Sequence, residues 1–348
     1  MRKEGDAAVP FRKRSFRLLA AFLIFALLFS LSSCGNALHT SRTYAMGTFC
    51  ALTEELPRGE DGDFSPRFVS LLKETEALLS HKEEGSIPDQ LNRLGFAAVA
   101  DGDGRLLDLF RLSEEIKERT GGLFSLSVLP ITALWNFDAD SPSPPSSETI
   151  AAALAEIEGS AIALEGQTVR KTGGGIDLGA IGKGYACDVI ADALYKENKN
   201  ALVSVGGSLA AVGSKSGAPW EIGVRDPFSA SQSKTLGILY LEDRFVSTSG
   251  SYEKCFTYEG KSYHHILDPR TGMPAESDLI SVTAVAGNGT LSDMLSTACF
   301  LVGSDAAFSL AAEYGAAIIA VKADGTLLVS ETLRDIFTPG AGWEPQYR

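Results

Sequence analysis

Residues 176–188, Ile-Asp-Leu-Gly-Ala-Ile-Gly-Lys-Gly-Tyr-Ala-Cys-Asp, constrain this chain more than any other stretch. The pattern predicts an apolar strand end running into three closely spaced glycines. A helix then follows, with Tyr185, Ala186, Val189, Ile190, Ala193 and Leu194 on one side. Glycine at such a junction lets the backbone approach a ligand closely, and the helix N-terminus beyond it favours an anion. Lys183 adds a positive charge at the same place. The stretch suits either a phosphorylated molecule or a tight packing turn. It is not a Walker A loop, which would need glycine in place of Asp177 and a hydroxyl residue in place of Gly184. It does not fit the dinucleotide fingerprint either.

The N-terminal segment carries Arg2, Lys3, Arg12, Lys13, Arg14 and Arg17 ahead of an apolar run from Leu18 to Leu31. That run is shorter than the roughly 20 residues that span a bilayer. Basic, apolar and small residues follow in the order of an export signal, and Leu31-Ser32-Ser33-Cys34-Gly35 resembles a bacterial lipobox. On this reading residues 1–33 are a lipoprotein signal peptide and Cys34 carries acyl chains of the palmitate type. A tether at 34–41 then leads to one large domain over 42–341. An uncleaved signal anchor is the other reading of the same segment.

The chain carries a net charge of −13, and loss of the basic leader would deepen it. That balance argues against nucleic acid or anionic lipid as a partner. Attachment to a membrane is then expected through lipid and not through charge. Cys50, Cys187, Cys255 and Cys299 show no Cys-x-x-Cys spacing, so no thiolate metal site or redox motif is expected. Cys187 and Cys299 read as small buried side chains, although export would permit a disulfide.

Helical spacing marks 68–79 and 106–119, the second stopped by Gly121-Gly122, and Ser146 or Ser147 is placed to cap an alanine-rich helix. Strand patterns mark 201–205, 236–241, 280–286 and 316–321. Segments 252–258 and 263–267, joined through Glu259-Gly260-Lys261, read as a hairpin. The mixture predicts an α+β fold with largely antiparallel or mixed sheets flanked by helices.

Two further segments bear chemistry. Asp293 and Thr297 lie four apart in an apolar helical run and so share a face. A carboxylate and a hydroxyl are hard oxygen ligands, better suited to Mg²⁺ than to zinc. The packing alternative makes Ser292 an N-cap, Asp293 a helix-end charge and Thr297 a core residue. The segment His264-His265-Ile266-Leu267-Asp268-Pro269-Arg270-Thr271-Gly272 ends in turn chemistry and holds two of the chain's four histidines. Beside an arginine, these could transfer protons or bind phosphate, or simply form a polar turn.

Taken in order, these segments resemble one family, the ApbE family of FAD:protein FMN transferases. Tyr44 to Thr48 resembles its opening Met-Gly-Thr, Ser86 to Asn92 its Ser…Leu-Asn segment, and Phe124 to Pro130 with Leu134-Trp135 its Phe-Asp-Pro-Thr-Val…Leu-Trp block. Asp177 to Tyr185 is similar to its Asp-Leu-Gly-Gly-Ile-Ala-Lys-Gly-Tyr core, and Leu202 to Gly207 to Leu-Val-Asn-Ile-Gly-Gly. Ser249 to Tyr252 and His265 to Gly272 resemble Ser-Gly-Asp-Tyr and His-Ile-Ile-Asp-Pro-Arg-Thr-Gly. Ser125, Ser208 and Ser251 stand where the family usually has Asp.

The resemblance implies an exported, lipid-anchored enzyme over residues 42–341. It would cut FAD and pass FMN to a Ser or Thr hydroxyl of a partner protein bearing a flavinylation motif, releasing AMP. It implies Mg²⁺ held by Asp293, Thr297 and the carbonyl of Ala180, with Asp293 and His265 as the catalytic pair. Lys183, Arg270, Met46, Asn92, Ser125, Trp135, His265 and Ile266 are implied as FAD contacts. The extra histidine, His264, is expected to face water. The same residues would also serve an FAD pyrophosphatase or a flavin-binding lipoprotein.

Overall fold

The structure is a computed structural model that describes residues 37–56, 63–99, 102, 104–137 and 139–348. The expected signal peptide and the lipidation site Cys34 lie outside the described residues.

A nine-stranded sheet organises the chain. Its strands are β1 (Ala37–Ala45), β2 (Thr48–Leu56), β3 (Ala201–Val205), β4 (Ser208–Val212), β5 (Arg244–Gly250), β6 (Leu279–Ala286), β7 (Ala317–Lys322), β8 (Leu327–Val329) and β9 (Pro345–Tyr347). They lie side by side in chain order. Neighbours are antiparallel except the last pair, β8 and β9, which is parallel. The expected strands at 201–205, 280–286 and 316–321 are therefore β3, β6 and β7.

Strand alternation sorts side chains between two layers. Val282, Ala284, Ile318 and Ala320 point into the helical core, whereas Val285, Ile319 and Val321 point to the opposite face. There they meet a smaller sheet formed by Trp220–Arg225, Thr235–Leu241 and Phe337–Pro339. Covered on both faces, β6 reads as a nearly continuous buried run.

Eight α-helices are described: α1 (Ser65–Leu79), α2 (Ile87–Leu94), α3 (Arg105–Arg119), α4 (Leu129–Trp135), α5 (Ser147–Ile157), α6 (Gly182–Lys196), α7 (Gly289–Val302) and α8 (Ser304–Glu313). Ser146 caps α5 by accepting from the Thr149 N–H, and Gly121 and Gly122 follow α3 with positive φ. Helices α6 and α7 cover the middle of the sheet and position the site.

Several local expectations need correction. Residues 37–41, expected as tether, pair with 52–56 as the first half of β1, because ladder hydrogen bonds form regardless of their exposed side chains. The fold also runs past residue 341, since β9 completes the sheet edge. No strand runs directly into the glycine cluster: a strand ends at Thr172, 175–178 is irregular, and a turn leads into α6. The hairpin is shorter than expected, pairing Cys255–Tyr258 with Lys261–His264. Glu259 and Gly260, both at positive φ, suffice as its turn. The N-cap of α7 is Asn288 and not Ser292, because the helix begins one turn earlier.

Candidate active site

The glycines at the start of α6 serve a helix crossing. A Cβ on Gly184 would lie 2.1 Å from the Gly289 carbonyl oxygen, and one on Gly289 would lie 2.2 Å from the Gly184 oxygen. Only two glycines allow α6 and α7 to meet backbone to backbone here. The contact brings Asp293, on the second turn of α7, against the first turn of α6. Asp293 is buried, its Oδ2 accepting from the Gly184 N–H (2.9 Å) and its Oδ1 from the Ser208 hydroxyl on β4 (3.1 Å). The Lys183 ammonium lies 3.7 Å from Oδ2 and donates to the Gly179 carbonyl at 3.1 Å.

Asp188, one turn further along α6, secures the neighbouring helix. It accepts from the backbone N–H groups of Gly289 (2.5 Å) and Thr290 (2.9 Å) and from the Thr290 hydroxyl (2.6 Å). Burial pushes its carboxyl pKa up, while these three donors pull it back down. A carboxylate at a helix N-terminus also opposes the positive end of the macrodipole.

One turn beyond Asp293, Thr297 faces β5, its Oγ1 3.0 Å from the Ser249 hydroxyl. The Gly184 N–H is given to Asp293, and Ala180 stands just before the N-cap of α6, Ile181. The Asp293 carboxylate and the Thr297 hydroxyl lie one turn apart on α7 and, like the Ala180 carbonyl just before α6, are hard oxygens of the chemistry that suits a magnesium-type cation. Another cluster, His39, Glu54 and Asp63, has ligand atoms within 4.8 Å of one another. Its buried Glu54 already accepts from the Phe64 N–H at 3.1 and 3.0 Å and pairs with Lys199 at 3.5 Å.

The turn between β1 and β2 also reaches this crossing. Met46 and Gly47 both have positive φ, as a two-residue hairpin turn demands. The Met46 Cε lies 3.7 Å from the place a Gly182 Cβ would occupy. A Cβ on Gly206, whose φ is +61°, would lie 2.9 Å from Thr48 Oγ1 and 3.3 Å from Lys183 Cδ. Met46, Lys183, Ser208 and Asp293 thus converge from four parts of the chain.

His265 leaves the hairpin with its N–H donated to the Lys254 carbonyl (3.1 Å) and its Nδ1 buried without a partner. Burial, then the charges of Lys183, His264 and Lys254, push its pKa down to about 4. The imidazole is therefore neutral at pH 7. His264 does not face water: it is half-buried, its ring edge-on to Phe300 with centroids 5.7 Å apart.

The remaining expected contacts are occupied within the protein. Asn92 clamps Ile176, donating to its carbonyl (3.1 Å) and accepting from its N–H (2.6 Å). Trp135 is fully buried, donates to the Gly272 carbonyl (2.8 Å) and stacks on Phe137. Ile266 is a core side chain. Arg270 holds Asp268 two residues back (2.9 Å), with much of its side chain exposed. Ser125 accepts from the Ser127 N–H at 3.1 Å.

Sequence reasoning missed Asp188, and it missed the links from Asp177 to Thr132 (2.8 Å) and His81 (3.9 Å). An acidic residue flanked by apolar ones in α6 was the signal for Asp188. Nothing marked His81.

Fold and site together define an α+β protein with a buried carboxylate, a lysine and an oxygen donor set at a glycine-built helix crossing. The chain belongs to the ApbE family, which matches residues 46–320. It is 30% identical over 318 residues to an FAD:protein FMN transferase of Treponema pallidum, covering 84% of this chain and 87% of that protein. The FAD:protein FMN transferase of Escherichia coli K12 is 26% identical over 329 residues, covering 88% and 92%. The crystal structure of the ApbE protein from Thermotoga maritima superposes with a TM-score of 0.75 at 30% identity, covering 86% of this chain and 99% of that one.

Proposed function

We infer that this chain is an FAD:protein FMN transferase. The observation that carries the inference is the position of Asp293. Donors from two other segments hold its carboxylate beside Lys183, in a chain 30% identical over 318 residues to a relative of that name. In the proposed reaction, a Ser or Thr hydroxyl of the acceptor protein forms a new bond to the FMN phosphorus. The pyrophosphate bond breaks, AMP leaves, and the hydroxyl proton passes to a base.

Phosphoryl transfer requires positioning and charge neutralisation more than covalent help from the protein. Lys183 holds phosphate oxygens at the mouth of the crossing. Neutral His265 accepts the hydroxyl proton, its Nδ1 having no partner inside the fold. Arg270 keeps N–H groups beyond those given to Asp268 and faces outward to a phosphate. We propose Mg²⁺ as the metal on Asp293, Thr297 and the Ala180 carbonyl, where it supplies neutralisation of phosphate charge when bound. Export and anchoring through lipid on Cys34 complete the proposal, with an exported electron-transport subunit carrying a Ser/Thr motif as acceptor.

The test is incubation of the purified chain with FAD, Mg²⁺ and a candidate acceptor, followed by intact-mass analysis. A gain of one FMN on the acceptor, with AMP in equal amount, is expected. AMP without a gain would make the chain a pyrophosphatase, and neither product would leave it a flavin binder.

A further inference from the structure

We propose that Ser249 is a positioning residue that turns the Thr297 hydroxyl so that its lone pairs face the cation. The inference deepens the metal reading above and rests on it. Ser249 Oγ lies 2.9 Å from Ser296 Oγ and 3.0 Å from Thr297 Oγ1, contacts whose direction distance alone does not fix. The rest of the network fixes it. Ser296 donates to the main-chain carbonyl of Asp293 at 2.9 Å, a group that can only accept. Each hydroxyl has one proton. Ser296, having spent its own, must accept from Ser249. Ser249 must then accept from Thr297.

The relay therefore runs from Thr297 through Ser249 and Ser296 to the Asp293 carbonyl. It consumes the Thr297 proton in the contact with Ser249 and leaves the oxygen as an acceptor. Thr297 and Ser249 are half-buried, whereas Ser296 is fully buried, so the accessible end of the relay is the ligand end. A free hydroxyl could equally point its proton outward, which would repel a cation.

A second relay in the same seam provides an internal control. Ser247 contacts Ser292 at 2.9 Å, and Ser292 donates to the Gly289 carbonyl at 2.9 Å. Its chemistry and strand–helix setting match the first, and both serines are fully buried, yet it ends on no residue of the donor set.

The experiment titrates Mg²⁺ calorimetrically into the full chain and into Ser249→Ala, Ser249→Thr and Ser247→Ala. Orienting partners behind a metal ligand are typically worth 10–100-fold in affinity. Ser249→Ala is expected to weaken Mg²⁺ binding by about that factor, with acceptor labelling restored by excess Mg²⁺. Ser249→Thr, which keeps a hydroxyl, should regain affinity, and Ser247→Ala should bind Mg²⁺ as the parent does. Parental affinity in Ser249→Ala, or an equal loss in Ser247→Ala, overturns the proposal. If the parent binds no Mg²⁺ yet labels the acceptor, the metal reading and this inference fall together while flavin transfer stands.

Discussion

Replacing Gly184 by alanine tests whether the helix crossing holds the site. The added methyl carbon would sit 2.1 Å from the Gly289 oxygen, 2.6 Å from its carbonyl carbon and 2.7 Å from Asp293 Cβ. Ordinary contact begins near 3.4 Å, so the helices must part by about 1.3 Å. The two nearest obstacles are backbone atoms, so no rotamer change relieves them. Overpacking of this kind costs about 1–3 kcal/mol. Parting the helices also stretches the 2.9 Å bond from the Gly184 N–H to Asp293, and hydrogen bonds to charged groups are worth about 1.5–3 kcal/mol. Alanine returns up to about 1 kcal/mol of helix propensity. The net loss is about 1.5–5 kcal/mol. At about 2–4 °C per kcal/mol for a sizeable domain, Tm should fall by roughly 3–20 °C. Gly182→Ala is the matched control, because its methyl would meet only Met46 Cε at 3.7 Å. Thermal unfolding of the three proteins by circular dichroism decides the matter. A Gly184→Ala protein as stable as the parent, or a Gly182→Ala protein destabilised as much, refutes the crossing argument.

Other consequences follow from the same geometry. Asp293→Asn keeps the shape but removes the charge beside Lys183 and puts an amide donor against Gly184 N–H or Ser208. Mg²⁺-dependent labelling should fall by several kcal/mol equivalent in rate and Tm should drop by a few degrees, because a charge-assisted bond at a buried site is lost; EDTA-insensitive labelling in both proteins would contradict the role. His265→Ala should slow transfer by about 10²–10⁴-fold and His264→Ala much less; equal losses in a labelling assay would point to damage to the hairpin. The pKa of His265 is lowered from 6.5 to about 4, so the unfolded chain binds a proton that the folded chain refuses between those values. Stability therefore falls as pH drops through that window, and His265→Gln should flatten the slope by up to about one proton in denaturant titrations; an unchanged slope would contradict it. Cys34→Ala should release a non-acylated protein or leave a precursor, as read by fractionation and mass spectrometry, and unchanged acylation would exclude the lipobox.

Much of the helical framework was legible because its signals are local. Apolar spacing at 68–79 and 106–119 marks α1 and α3 to within three residues, and Ser146 caps α5 from its own side chain. The glycine cluster was visible, but not its purpose: the Gly184 N–H serves a carboxylate 109 residues away in the chain. Strand lengths around the hairpin were overread, since a positive-φ pair at Glu259-Gly260 needs no third turn residue. Met46, Lys183 and Asp293 were singled out from motifs and do converge. Asn92 and Trp135 came from the same resemblance, and their polar groups are bonded to the backbones of Ile176 and Gly272.

By itself the sequence determined the fold class, the approximate spans of several helices and the chemical identity of the donor groups. Periodicity, caps and side-chain type are properties of neighbouring residues. Tertiary structure alone decided which donors meet, that Ser208 and Ser249 bond to Asp293 and Thr297, and that His265 is partly desolvated in the field of Lys183. The physical reason is that these effects come from contacts between distant segments. An unpaired strand face shows neither which helix will cover it nor how much water that helix will exclude, and those two quantities set hydroxyl direction and proton affinity.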